Sequence, residues 1–146
     1  MLKRMRKNKK GFTLAELLIV VAIIGVLVAI SIPIFTTQLE KSREAVDLSN
    51  IRAAYAECSA DVLTNSKATG YYEKVTVQQK KDGWVSSPEK IAGSLDITKD
   101  TTGSKLGETN TEVYVCVSSE GVLSLATTAP SGYTDASTVG KKTTTP

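Results

Sequence analysis

The chain turns from basic to almost wholly apolar within its first dozen residues, and from residue 11 to residue 39 its only ionisable side chain is Glu16. Residues 14–35 number 22, and as a helix they would reach about 33 Å, enough to cross a bilayer core of about 30 Å. From residue 36 the pattern becomes mixed, and no Gly or Pro occurs until Gly70, which predicts a continuous helix to about Leu63. Leu48, Ile51, Tyr55, Cys58 and Val62 recur at spacings of 3, 4, 3 and 4, one helical stripe that must pack on something. Glu40, Arg43, Glu44, Asp47, Arg52, Glu57 and Asp61 then read as solvated faces.

The partner for that stripe has to come from the rest of the chain, where short alternating runs are separated by turn residues. Residues 71–79 set Tyr72, Lys74 and Thr76 against Glu73, Val75 and Val77, which predicts a strand, and Lys81-Asp82-Gly83 offers a turn before Trp84-Val85. Residues 88–92 read as a single helical turn, 95–98 as a weak strand and 99–110 as a polar loop whose one core residue is Leu106. The strongest strand is 112–118, turned by Glu120-Gly121 into 122–126. With those two as the loop, Cys116 faces Leu125 across the hairpin, and Tyr114, Cys116, Leu123 and Leu125 share the core side. The last twenty residues are rich in Thr, Ser, Ala, Gly and Pro and read as a polar tail from 127 to 146, with an edge strand around Tyr133 as the alternative.

Charge and composition narrow the chemistry. Lys3, Arg4, Arg6, Lys7, Lys9 and Lys10 account for six of 18 basic residues, and without them 12 basic side chains face 15 acidic ones, a net of −3. The basic balance belongs to the leader, and no nucleic-acid partner is expected for the body. With no His there is no Ser-His or Cys-His pair and no His-ligated zinc, and two Cys cannot close a four-thiolate site. The expectation is a non-enzyme with no metal and no cofactor.

Two ordinary readings of the N-terminus fit poorly. A secretory signal peptide has a core of about 7 to 15 residues and a small-x-small cleavage site, whereas this run is longer and ends Ile30-Ser31-Ile32-Pro33-Ile34-Phe35. A plain membrane anchor gives no reason for the carboxylate of Glu16 at the start of the span. The run Lys9-Lys10-Gly11-Phe12-Thr13-Leu14-Ala15-Glu16, leading directly into the apolar helix, resembles the class III leader of type IV prepilins. The resemblance implies an α+β pilin fold. Its long N-terminal helix has a membrane or filament-core half and an amphipathic half, packed on a small antiparallel sheet. It also implies cleavage between Gly11 and Phe12 by a prepilin peptidase, N-methylation of Phe12, and a mature chain of 135 residues from Phe12 to Pro146.

In that family the matching glutamate pairs with the N-terminal ammonium of a neighbouring subunit, which gives Glu16 a register-setting role. Phe12, Glu16, Gly25 and Pro33 become the subunit-assembly residues. Gly25 and Pro33 resemble the positions flanking the segment that loses helicity in filaments, and Pro33 by itself predicts a kink. The organisation expected is leader 1–11, transmembrane and filament-core helix 12–35, amphipathic helix 36–65, head 66–126 and tail 127–146. The implied role is a structural subunit, stored in the cytoplasmic membrane and its lipid, then polymerised by the pilus assembly machinery into an extracellular homopolymer for adhesion, motility or aggregation. The alternative is a minor pilin or secretion-system pseudopilin priming a short fibre. An extracellular address permits one disulfide, Cys58 to Cys116, against the alternative of two buried thiols.

Overall fold

The computed structural model describes residues 11–65, 69–88, 90–93 and 95–139. The basic leader run and the end of the tail therefore lie outside the described residues. The elements in order are α1 (Leu14–Thr64), β1 (Gly70–Thr76), a 3₁₀ turn (Gly103–Lys105), β2 (Glu112–Ser118), β3 (Leu123–Ala126), β4 (Thr134–Asp135) and a second 3₁₀ turn (Ala136–Thr138). The chain divides into two units, Met1–Thr36 and Thr37–Pro146.

In the first unit the apolar helix is exposed at every position from 14 to 35. The helix runs through Gly25 and Pro33 without interruption. Ser31 Oγ donates to the Leu27 carbonyl (2.7 Å) and Thr36 Oγ to the Pro33 carbonyl (3.0 Å), so both hydroxyls are satisfied within the helix.

In the second unit the sheet order is β3-β2-β1-β4. β1 pairs antiparallel with β2, and β2 with β3, as the hairpin chemistry predicts. β4 pairs parallel to β1, through Tyr71–Thr134 and Tyr72–Asp135, so the sheet is mixed rather than purely antiparallel. Ile51, Ala54 and Cys58 of α1 bury against Tyr71, Val75, Val113, Val115, Val117, Leu123 and Leu125. Leu106 is fully buried, as expected, together with Ile91 and Ile97.

The hairpin corrects one expectation. Val115 faces Leu125 and Val117 faces Leu123, while Cys116 faces Ser124. The connection is three residues, 119–121, closed by Ser118 N–H to the Val122 carbonyl (3.0 Å) and Gly121 N–H to the Ser118 carbonyl (2.8 Å). Gly121 takes φ +81°, the left-handed position of a three-residue hairpin. A two-residue loop would have shifted the register by one, and a slip of one exchanges the faces of a strand. Val113, Val115 and Val117 are therefore the core face, each fully buried, and Tyr114 and Cys116 lie on the other side.

Three further expectations change. The described residues of 88–92 form no helical turn: Ile91 and Leu95 pair in an isolated bridge around Ala92 (φ 53°) and Gly93 (φ 71°). The segment that follows is built from side-chain-anchored turns rather than a strand at 95–98. Asp96 accepts from Thr98, and Asp100 from the N–H groups of Thr102 and Gly103. The head also continues past 126, because Ala136 is buried and Val139 packs against the core.

Candidate functional site

The N-terminal end of α1 is a capping box. Thr13 precedes the helix, and its Oγ accepts from the Glu16 N–H (3.3 Å). Glu16 reaches back with Oε2 to the Thr13 N–H (2.8 Å) and hydroxyl (2.7 Å). The Thr-x-x-Glu spacing satisfies orphan donors that any helix start leaves open, a capping role beyond the leader resemblance. Phe12 is 90% exposed and stands immediately before this box. Gly25 lies on the open helix surface, where a Cβ would meet nothing within 4 Å beyond its own turn of helix backbone.

Along the second half of α1, two faces emerge. The buried line is Glu40, Glu44, Asp47, Ile51, Ala54 and Cys58, with Leu48, Tyr55 and Val62 partly buried beside it. The three acids expected on a wet face thus continue the core stripe. Each is held by two consecutive N–H groups of the segment 78–86. Asp47 accepts from Gln78 (2.7 Å) and Gln79 (2.8 Å). Glu40 accepts from Lys80 (2.5 Å) and Lys81 (2.9 Å), and Glu44 from Val85 (2.7 Å) and Ser86 (2.8 Å). A carboxylate accepting paired N–H groups can be buried, because its lone pairs are satisfied by dipoles.

Burial by itself would raise the Glu40 carboxyl, but the Lys80 and Lys81 N–H groups and the Arg43 guanidinium at 3.1 Å outweigh it and hold Glu40 below its ordinary value. For Asp47 burial wins. Its carboxyl is raised despite two N–H donors, and the charges of Glu40 and Glu44 push it the same way. Gln79, 2% exposed, completes the fastening by donating its amide to the carbonyls of Lys81, Gly83 and Leu106.

The opposite line of the helix is Leu39, Ser42, Val46, Ser49, Ala53, Ala56, Ala60 and Leu63. All eight are exposed, none is charged, and they follow one another at alternating steps of 3 and 4. This spacing is the seam of packed helices, and its small residues let backbones approach closely.

Cys58 and Cys116 are both buried and both free. Cys58 joins the core face with its Sγ 3.7 Å from the Val115 carbonyl, whereas Cys116 lies on the other face of β2 with its Sγ 3.5 Å from the Tyr114 carbonyl. The two thiols lie on opposite faces of β2, which favours the two-thiol alternative over a bridge. Burial, with help from Glu73, pushes the Cys58 thiol up to about 12, and burial pushes Cys116 up to about 11.

A family model described as the prokaryotic N-terminal methylation motif matches residues 6–32. The chain is 36% identical over 111 residues to the type IV narrow pilus major component PilA5 of Thermus thermophilus, an alignment covering 70% of this chain and 92% of that protein. It is 32% identical over 111 residues to the type IV major alpha-pilin of Moraxella bovis, covering 68% of this chain and 69% of that one. With the type IV major pilin protein PilA of Myxococcus xanthus it shares 46% identity over 52 residues, 36% of this chain and about a quarter, 24%, of that protein's length. No solved structure matches the chain. With the leader motif, the exposed apolar helix and near full-length similarity to the Thermus protein together, the chain belongs to the type IV pilins.

Proposed function

We propose that this structural pilin is cut between Gly11 and Phe12, methylated on the new Phe12 amine, held in the cytoplasmic membrane by residues 12–35 and then polymerised into an extracellular filament. The carrying observation is the apolar half of α1. All of residues 14–35 are exposed, and the helix is long and apolar enough to cross a membrane. A surface of that size has to be covered, by lipid before assembly and by copies of itself afterwards. Contacts between identical chains that do not close on themselves generate a fibre.

The uncharged seam from Leu39 to Leu63 supports the same reading, since it supplies the second half of the helix with a surface fit for another helix. Glu16 would exchange part of its bonding in the process. In the isolated chain its carboxylate is satisfied by Thr13, so it travels through lipid as a capped acid. In the filament a neighbour's Phe12 ammonium would add the charge partner that fixes axial register. Gly25 and Pro33 would be the points where the helix gives way, Pro33 because it has no N–H to return to the ladder. The relatives' designations as major pilus components favour a bulk subunit over a minor or pseudopilin role.

The test is the N-terminal sequence and mass of the protein in sheared surface material. N-methylated Phe12, with bulk recovery in fibres, is the expected result. An uncleaved Met1, or a terminus beyond Ser31, would sink the reading.

A further inference from the structure

Past Tyr72 no strand among the described residues pairs with the outer edge of β1. The β4 ladder ends at the Tyr72–Asp135 pair. On the other side, Val77 N–H donates to the Thr111 carbonyl at 2.8 Å, in line with β2. Polar groups of successive strand residues alternate between edges, so Val75 and Val77 turn theirs toward β2 while Lys74 and Thr76 turn theirs away. Among the described residues no strand lies on that side. The helix leaves the space unfilled, because Asn50 and Ala53 are short, and a groove of about 360 Å³ runs between them and Lys74, Val75 and Thr76.

Of the two charged side chains that line this groove, Lys74 is ion-paired with Glu112 and Glu73 has no ion pair among the described residues. Glu73 lines it, and the Glu73 Oε2 atom is buried with no hydrogen-bond partner. Burial raises the Glu73 carboxyl, and Glu57, within hydrogen-bonding reach, raises it further together with Asp135 and Asp61. The nearest cation, Lys74, is held by Glu112 at 2.7 Å, its side chain on the face of the sheet away from Glu73.

We propose that the groove between α1 and the open edge of β1 receives an extended peptide strand of a partner protein, hydrogen-bonded to Lys74 and Thr76 and carrying a lysine or arginine to Glu57 and Glu73. Backbone bonds supply the affinity of such strand addition, and the carboxylates select the sign of the incoming side chain. The open stretch has a natural length. It begins where β4 stops and ends at Gln78, whose N–H is taken by Asp47, which leaves room for about four residues or about 13 Å of strand.

The experiment uses the full chain in detergent micelles, ¹⁵N-labelled, titrated with the capped peptides Val-Lys-Val-Lys-Val and Val-Glu-Val-Glu-Val. The lysine peptide should shift the Lys74 and Thr76 amides and slow their hydrogen exchange, with binding that weakens as salt rises. The glutamate peptide should bind at least about tenfold more weakly. Glu57→Gln/Glu73→Gln should bring the two peptides to similar affinity. Asn50→Trp, a change at an exposed position that fills the groove, should abolish binding while leaving the rest of the amide spectrum in place. Equal binding of both peptides, shifts confined to other surfaces, no shift at millimolar peptide, or pre-existing cross-strand contacts from Lys74 and Thr76 to this chain's own residues would each overturn the proposal.

Discussion

At the residue scale, the buried acids carry the most information. A carboxylate on a helix is ordinarily a surface residue, and periodicity alone placed Glu40, Glu44 and Asp47 on the wet side. They lie inside because the segment 78–86 presents two adjacent N–H groups to each of them. Nothing local in the sequence announces such a pairing, since the donors lie 31 to 42 residues away. Asp47→Asn would turn one of two acceptors into a donor facing an N–H, and we expect a loss of about 1–3 kcal/mol in urea unfolding of the full chain in micelles.

Glu73 gives a check by pH. Its carboxyl is raised in the fold above the ordinary glutamate value of 4.5, so between 4.5 and that raised value the folded state holds a proton that the unfolded state has released. Its contribution to stability is fully present below pH 4.5 and is lost as pH rises through its raised value. Glu40, lowered in the fold, contributes above 4.5 and loses that contribution as pH falls. The melting temperature of the unsubstituted chain should therefore fall from pH 4 toward neutral pH, and Glu73→Gln should flatten that fall. A decline of unchanged slope would remove Glu73 from the account. The cysteines give a third check at this scale: both thiols should resist alkylation in the folded chain and react quantitatively after denaturation, whereas recovery of a disulfide would contradict their placement on opposite faces of β2.

At the scale of elements, most of the secondary structure was legible and one register was not. The long helix to Thr64 and strands β1 and β2 followed from periodicity and from the positions of Gly and Pro. The hairpin failed by a single residue because Glu120-Gly121 satisfies the two-residue rule as well as the last two positions of a three-residue loop. The three consecutive alternate valines, Val113, Val115 and Val117, were the better signal, for a sheet face of that composition is rarely left wet. Gly121→Ala should cost about 1 kcal/mol through its left-handed φ. Gly70→Ala should cost more, because its Cβ would come within 2.5 Å of the Val117 carbonyl oxygen and would also collide with the Tyr133 ring. Urea titration of the two variants ranks them. The irregular segment from 80 to 110 was the least legible part, since Asp96 and Asp100 hold it by side-chain turns that leave no periodic trace.

At the scale of the whole molecule, the helix presents two surfaces with different requirements. One stripe is consumed by the head, in which Ile51, Ala54 and Cys58 meet the sheet. The other, from Leu39 to Leu63, is uncharged and small and has no role within a single copy. The leader motif and the apolar span were readable from the first 35 residues, whereas the capping role of Thr13 and Glu16 emerged only from their hydrogen bonds. The second seam was equally present in the sequence, but the charged neighbours at Glu40, Glu44 and Asp47 disguised it until burial separated the faces. Ala56→Arg, at an exposed seam position, should leave folding unchanged and stop filament formation, which counting filaments by electron microscopy against an unchanged melt would establish.

If copies of this chain assemble through α1 with their heads outward, a helical reconstruction of the filament formed by this protein will show residues 12–35 of many copies at the axis, each Glu16 within ion-pair distance of a neighbour's Phe12 amine, and the sheets facing solvent. A fibre held together by head-to-head contacts, with the apolar helices at its periphery, would contradict it.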